Sequence, residues 1–320
     1  MFFSFLIFVF VVEFKDNLFY YYFVGFVMEK LDEILFRTAD FIKKGDNENA
    51  EKAIQDGLKV YPDSAILYTN LGMLKLMKKE IDTAIDLLEK AIKLDSRILE
   101  AYQNIGSCYL YKMEIEKSET AFLKALQIDP NNFNTYHNIS TLYIQTDQLP
   151  KAKKSLEKLI QIDSSNIQVS FMLGMVSLSL KEYYPAIANL LYVLIEDPEN
   201  INARAGVAES YYRMGRYKMS LKEYDKIIKI KPDLLSPYIK SALVLIELGL
   251  NPEAIPYLSK ALEIDRTNLE ALEILAILYE EKADFEKAEE LYQEILILDP
   301  HHKSAEEAVK RLENFLNTKS

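Results

Sequence analysis

Bulky apolar residues recur every three to four positions along most of this chain, the spacing of one helix face, with charged residues between them. That helical pattern itself repeats every 34 residues. The stretch from Leu99 to Asn132, LEAYQNIGSCYLYKMEIEKSETAFLKALQIDPNN, is matched in phase on both sides without an insertion. Eight copies result: 31–64, 65–98, 99–132, 133–166, 167–200, 201–234, 235–268 and 269–302. A fixed period of this length is the signature of stacked helical or strand units. With few glycines and no alternating strand runs, each copy reads as helix, tight turn, helix. In the third copy the spacing predicts helices over roughly 100–112 and 116–128.

The columns of the repeat carry the packing. Numbering each copy from 1, position 8 is Thr38, Gly72, Gly106, Ser140, Gly174, Ala208, Ala242 and Ala276, and position 20 is Ala50, Ala84, Ser118, Ala152, Ala186, Ser220, Ala254 and Ala288. Every one is small. Position 24 is Ile54, Leu88, Phe122, Leu156, Leu190, Tyr224, Leu258 and Tyr292, and every one is large. Two helices that cross closely need a small residue on each at the crossing and large ones beside it to fill the gap. Gly45, Asp147, Gly215 and Gly249 stand where the turn needs a left-handed residue. Pro150 and Pro252 fall near the first turn of a helix, where a missing N–H costs little. Asp129, Asp197 and Asp299 suit the loop that leads to the next copy. Pro256 lies deeper in its helix and should bend or loosen copy 235–268.

These columns and this period resemble the tetratricopeptide repeat family over residues 31–302. The resemblance implies an all-α, right-handed α-solenoid, a superhelix of helix-turn-helix repeats. Residues 303–320 supply a C-terminal capping helix with Ala305, Ala308, Val309, Leu312 and Phe315 on its apolar face. An open-ended stack requires such a cap for solubility.

The resemblance also implies where function lies. First helices of the family line a concave groove through positions 2, 5, 6, 9, 12 and 13. Carried over, position 6 places Asn70, Asn104 and Asn138 in three consecutive copies. An amide is both donor and acceptor, so such a row can hold the backbone of an extended peptide; hydrogen bonds within the repeat are the alternative. Met73, Met77, Tyr111, His137, Phe171, Met175, Tyr212 and Leu243 also fall at groove positions. For Met73, Met77, Phe171 and Met175 groove is favoured over core, since exposed apolar patches mark binding surfaces. Copy 269–302 has ten acidic residues against Lys282 and Lys287, whereas copy 201–234 has eight basic residues against four acidic ones. Glu270, Glu273, Glu280 and Glu281 therefore bias the C-terminal end of the groove toward basic segments. Members that grip a terminal carboxylate use Lys at position 5 and Asn at position 9. Here position 5 is Leu35, Thr69, Gln103, His137, Phe171, Ala205, Ile239 and Glu273, and no Asn stands at position 9, so that clamp is absent.

Charge and candidate chemistry narrow the picture. A formal net charge of −11 argues against nucleic acid, whose binding rests on Lys and Arg at phosphates. No phosphate-cradling glycine loop, metal-binding His or Cys spacing, or catalytic motif is present, so neither enzymatic activity nor a cofactor or metal is expected. Cys108 occupies a core column shared with Leu74, Leu142, Val176, Val244 and Leu278, which makes it a buried, inert thiol. His301 and His302 read as a solvated loop pair. The reading is a non-enzymatic, cytoplasmic scaffold that binds a peptide or helix of another protein.

Residues 1–30 stand outside the repeat. Two apolar runs, MFFSFLIFVFVV and LFYYYFVGFVM, are separated by Glu13, Lys15 and Asp16. Each is about half of the roughly 20 residues a spanning helix needs, and signal-peptide features are missing. The alternatives are a membrane contact through 1–27, giving a membrane-tethered assembly factor, and an extension upstream of a start at Met28 or a locally packed cap.

Overall fold

The computed structural model describes the backbone of residues 18–317 and the side chains of residues 30–315. All regular structure among them is helical. The helices run α1 (Leu18–Lys43), α2 (Asn47–Val60), α3 (Ala65–Met77), α4 (Ile81–Leu94), α5 (Leu99–Tyr111), α6 (Ile115–Ile128), α7 (Phe133–Gln145) and α8 (Leu149–Ile162). There follow α9 (Ile167–Ser179), α10 (Tyr183–Glu196), α11 (Ile201–Arg213), α12 (Tyr217–Ile230), α13 (Leu235–Glu247), α14 (Asn251–Ile264), α15 (Leu269–Glu281), α16 (Phe285–Leu298) and α17 (Lys303–Asn317). The helices expected over 100–112 and 116–128 are α5 and α6, within a residue at each end. The result is an all-α helical solenoid. Two compact units divide it, residues 1–138 and 139–320, with the boundary inside α7.

The turn between paired helices shows the 34-residue period most directly. Gly45, Lys79, Met113, Asp147, Lys181, Gly215, Gly249 and Ala283, each 34 residues from the next, all have positive φ, between 55° and 75°. At every one the next residue's N–H reaches back five residues, as in Asp46 to Phe41 and Glu80 to Lys75, the pairing that ends a helix on a left-handed residue. Only three of the eight are glycine, so five accept the cost of a Cβ in this conformation.

The next helix is then capped from the loop. The Asp129 and Asp299 carboxylates accept the N–H two residues on, as do Asp95, Asp163 and Asp265 in other copies. Asn132, Asn166, Asn200 and Asn268 each accept the N–H three residues on, which satisfies an otherwise orphaned donor of the following helix. Pro150 and Pro252 occupy the first turns of α8 and α14. Pro256, expected to loosen its copy, does not interrupt α14, whose Ala254, Leu258 and Ala261 are fully buried.

The column argument is visible atom by atom. Position 24 is buried in all eight copies. A Cβ on Gly72 would stand 2.7 Å from Leu88, one on Gly106 2.7 Å from Phe122, and one on Gly174 2.7 Å from Leu190. Position 8 of the first helix therefore seats the large residue of the second. Ser118 adds a hydrogen bond across the crossing, donating to the Gly106 carbonyl at 2.8 Å. In the first unit Ile54, Leu67 and Leu74 form one core cluster, and Leu88, Ala91, Ala101 and Ile105 another. In the second unit α17 closes the last cluster, laying Ala305, Ala308, Val309 and Leu312 on Leu272, Ala276, Tyr292 and Ile295. Phe315 meets the edge of Phe285 at 4.8 Å.

No helix among the described residues is long and apolar enough to cross a membrane. The membrane contact considered for 1–27 falls largely on residues 1–17, outside the described part.

Candidate functional site

In the first unit, helix spacing puts Asn70, Met73 and Met77 on one side of α3, three and four residues apart. All three amides of Asn70 on α3, Asn104 on α5 and Asn138 on α7 are half-buried, and none has a hydrogen-bond partner among the described residues. Their polar neighbours differ. Thr69 donates to the Ala65 carbonyl at 2.9 Å and Ser107 to that of Gln103 at 3.0 Å. Gln103 donates to Asn132 at 2.8 Å and Thr135 at 2.7 Å. Bonding within the repeat, the alternative use for the three asparagines, is thus not where their amides are engaged. His137, beside Asn138, is half-buried and has its own interaction within the chain.

Apolar surface accompanies the amides. Met77 is 52% and Tyr111 57% exposed, and Met73 is half-buried. Phe36, at position 6 of the first copy, is 78% exposed. Sequence reading passed over it because the asparagine column starts only at the second copy. Below this face, Glu51 of α2 is clamped by Lys75 at 2.8 Å and Lys78 at 2.5 Å from α3. Hydrogen bonds from Lys75 and then Lys78 hold its carboxyl below the ordinary value of 4.5.

The second unit treats its expected site residues differently. Phe171 and Met175, for which groove was favoured over core, pack against Leu190, Val193, Leu194, Ala203 and Val207. Both stay half-buried, and Gly206 leaves room for the Met175 sulfur, 3.3 Å from where a Cβ would stand. Leu243 likewise packs on the cluster around Tyr238 and Leu258. Tyr212 stacks with Tyr217 at 5.6 Å, and both hydroxyls donate to Glu247, at 3.3 Å and 3.1 Å. Burial, and then the Glu247 charge, push the Tyr212 hydroxyl up.

The acidic end is also largely spoken for. Arg311 of α17 forks onto Glu280 at 2.6 Å and 2.8 Å. Ser304 donates to Glu273 at 2.8 Å and Asn251 to Glu281 at 2.6 Å. Charge counted along one copy overstated what is free, because the neutralising Arg311 belongs to the cap.

Cys108 is fully buried, and burial pushes its thiol up to about 11, far from a reactive thiolate. No group of three or more His, Cys, Asp or Glu among the described residues is placed to hold a metal ion.

Models of families described as Tetratricopeptide repeat match residues 245–312 and 202–234, and that of Iml2/Tetratricopeptide repeat protein 39 matches residues 16–170. The chain is a tetratricopeptide repeat protein. No curated protein matches it. Among solved structures, this repeat protein is similar to YrrB, described as a TPR protein with an unusual peptide-binding site, at TM-score 0.54 and 23% identity over 58% of this chain and 96% of that one. MamA matches at TM-score 0.50 and 26% identity, over 59% and 95% of the two chains. A chain of the Naa15/Naa10 complex bound to HypK-THB matches at TM-score 0.56 and 16% identity, covering 86% of this chain and 43% of that one. The tetratricopeptide repeat fold supports a protein-interaction repeat scaffold.

Proposed function

We propose that the scaffold is non-enzymatic and binds an extended peptide of another protein along Asn70, Asn104 and Asn138. The observation that carries this reading is that three half-buried amides recur at one repeat position and none has a hydrogen-bond partner among the described residues. Each amide can donate to a peptide carbonyl and accept from a peptide N–H, which ties affinity to main chain rather than to one side-chain sequence. Met73, Met77, Tyr111 and Phe36 flank the row and take apolar side chains, with the methionines adapting to shape. Glu273, Glu280 and Glu281 lie in the second unit and have partners inside the chain, so they are not part of this site.

The test uses a peptide selected from a random library against the full chain, with affinity read by fluorescence anisotropy. A hydrogen bond contributes about 0.5–1.5 kcal/mol net, so losing several should weaken binding tenfold or more. Asn70→Ala/Asn104→Ala/Asn138→Ala should show that loss at every salt concentration. Unchanged affinity in a triple variant with parental circular dichroism would remove the amides from the site.

A further inference from the structure

The second helices of the repeat present positions 18, 22, 25 and 29 outward, a stripe spaced i, i+4, i+7 and i+11. In α10 that stripe is Tyr184, Ala188, Leu191 and Ile195, with Tyr184 67%, Leu191 41% and Ile195 71% exposed. It bears no charge. In α12 the same positions hold Lys218, Lys222, Asp225 and Lys229, and the three lysines are exposed without an ion pair among the described residues. On the other side, the same positions of α8 are Pro150, Lys154, Glu157 and Gln161, one base and one acid, with the exposed Lys158 beside them. The three helices lie side by side. Lys153 of α8 pairs with Glu182 before α10, and Arg216 before α12 donates to the Tyr184 hydroxyl at 3.2 Å. An apolar helix face thus lies beside a basic one in a chain whose net charge is −11.

The complement sits on the same chain. In α16 positions 18, 22, 25 and 29 are Glu286, Glu290, Gln293 and Ile297. Glu286 and Glu290 form no ion pair among the described residues. Ile297 is 80% exposed. At position 29 the other copies have Lys59, Lys93, Gln127, Gln161, Lys229 and Glu263, so Ile195 and Ile297 are its only apolar members. One lies on the basic face and the other on the acidic one.

We infer that the outer face of α10 and α12 is a docking surface for α16 of a second copy of this chain. Ile297 would cover the stripe of Leu191 and Ile195, with Glu286 and Glu290 against the α12 lysines. Charge complementarity and the matched apolar residues select this occupant. The contact is independent of the peptide reading above, which uses first helices. It joins different surfaces of the two copies, and each copy carries both. A face one helix long and about two helices wide buries on the order of 800 Å² in total, the weak and transient class.

Sedimentation velocity of the full chain at increasing concentration should therefore show reversible association that weakens as salt rises. Lys222→Glu/Lys229→Glu and Glu286→Lys/Glu290→Lys should each weaken it tenfold or more. An equimolar mixture of the two variants should restore it, because each reversed face then meets an opposite charge. Ile195→Ser should weaken it without a change in circular dichroism, and a contact made by residues 1–17 would respond to none of these substitutions. A chain that stays monomeric, variants that associate like the parent, or a mixture without rescue would each overturn the inference. So would flotation of the monomeric parent, but not of Lys222→Glu/Lys229→Glu, on vesicles of anionic phospholipid, which would assign the face to a membrane surface.

Discussion

At the scale of single residues, the turn and the crossing are the two places where one atom matters. Ala283 holds φ at 61° where Gly45, Gly215 and Gly249 hold theirs near 70°. A Cβ in that region costs about 1–2 kcal/mol, partly offset because glycine loses more freedom on folding. Ala283→Gly should thus stabilise by about 0.5–1 kcal/mol, read as a higher midpoint in urea. Ala186 is fully buried, and its carbonyl oxygen lies 3.4 Å from where a Gly174 Cβ would stand. Ala186→Leu adds three carbons at that crossing and should cost about 1–3 kcal/mol. A variant that melts like the parent would show that the helices cross with room to spare.

At the scale of elements, the ion cluster tying α2 to α3 makes stability depend on pH. Glu51 has its carboxyl lowered from 4.5 in the fold by Lys75 and Lys78. A group whose folded value lies below its unfolded one contributes fully above the unfolded value and loses that contribution as pH falls through the folded one. Glu51→Gln should therefore destabilise by about 1.5–3 kcal/mol near neutral pH. The gap from the parent should close as pH drops below 4.5. A gap that persists at pH 2 to 3 would make the loss one of packing rather than charge, and thermal melts of both proteins across that range decide it. Elements also explain why Pro256 is tolerated. Neighbouring buried residues Ala254, Leu258 and Ala261 are held by tertiary packing, which supplies most helical stability in a folded protein.

At the scale of the whole molecule, stability passes from each helix pair to the next, so an exposed end is the vulnerable point. In the second unit α17 shields Leu272, Ala276, Tyr292 and Ile295, all almost fully buried. It also brings Arg311 to Glu280. Deleting residues 303–320 should bare that apolar face and leave Glu280 with only the Tyr292 hydroxyl. Lower solubility and a reduced melting midpoint are expected, measured by sedimentation and circular dichroism. A truncated chain that stays soluble and melts like the parent would deny α17 its capping role.

Read alone, the chain shows the helix pairs, their turns and the small-against-large crossings. Those features depend on residues near one another in the chain and recur eight times, so the columns at positions 8, 20 and 24 expose them. It also placed Asn70, Asn104 and Asn138 on equivalent faces. Only the tertiary structure decided which side chains remain available. Phe171 and Met175 are half-buried against the core of the next pair, where Gly206 leaves room beside the Met175 sulfur, and Glu280 is neutralised by an arginine 31 residues on. Lys79, Met113, Lys181 and Ala283 carry no sign of a left-handed turn in their chemistry; they adopt it because a turn of fixed length between two packed helices admits no other closure. Exposure, pairing and strain are set by what the neighbouring repeat brings, and a column of one residue type does not contain that information.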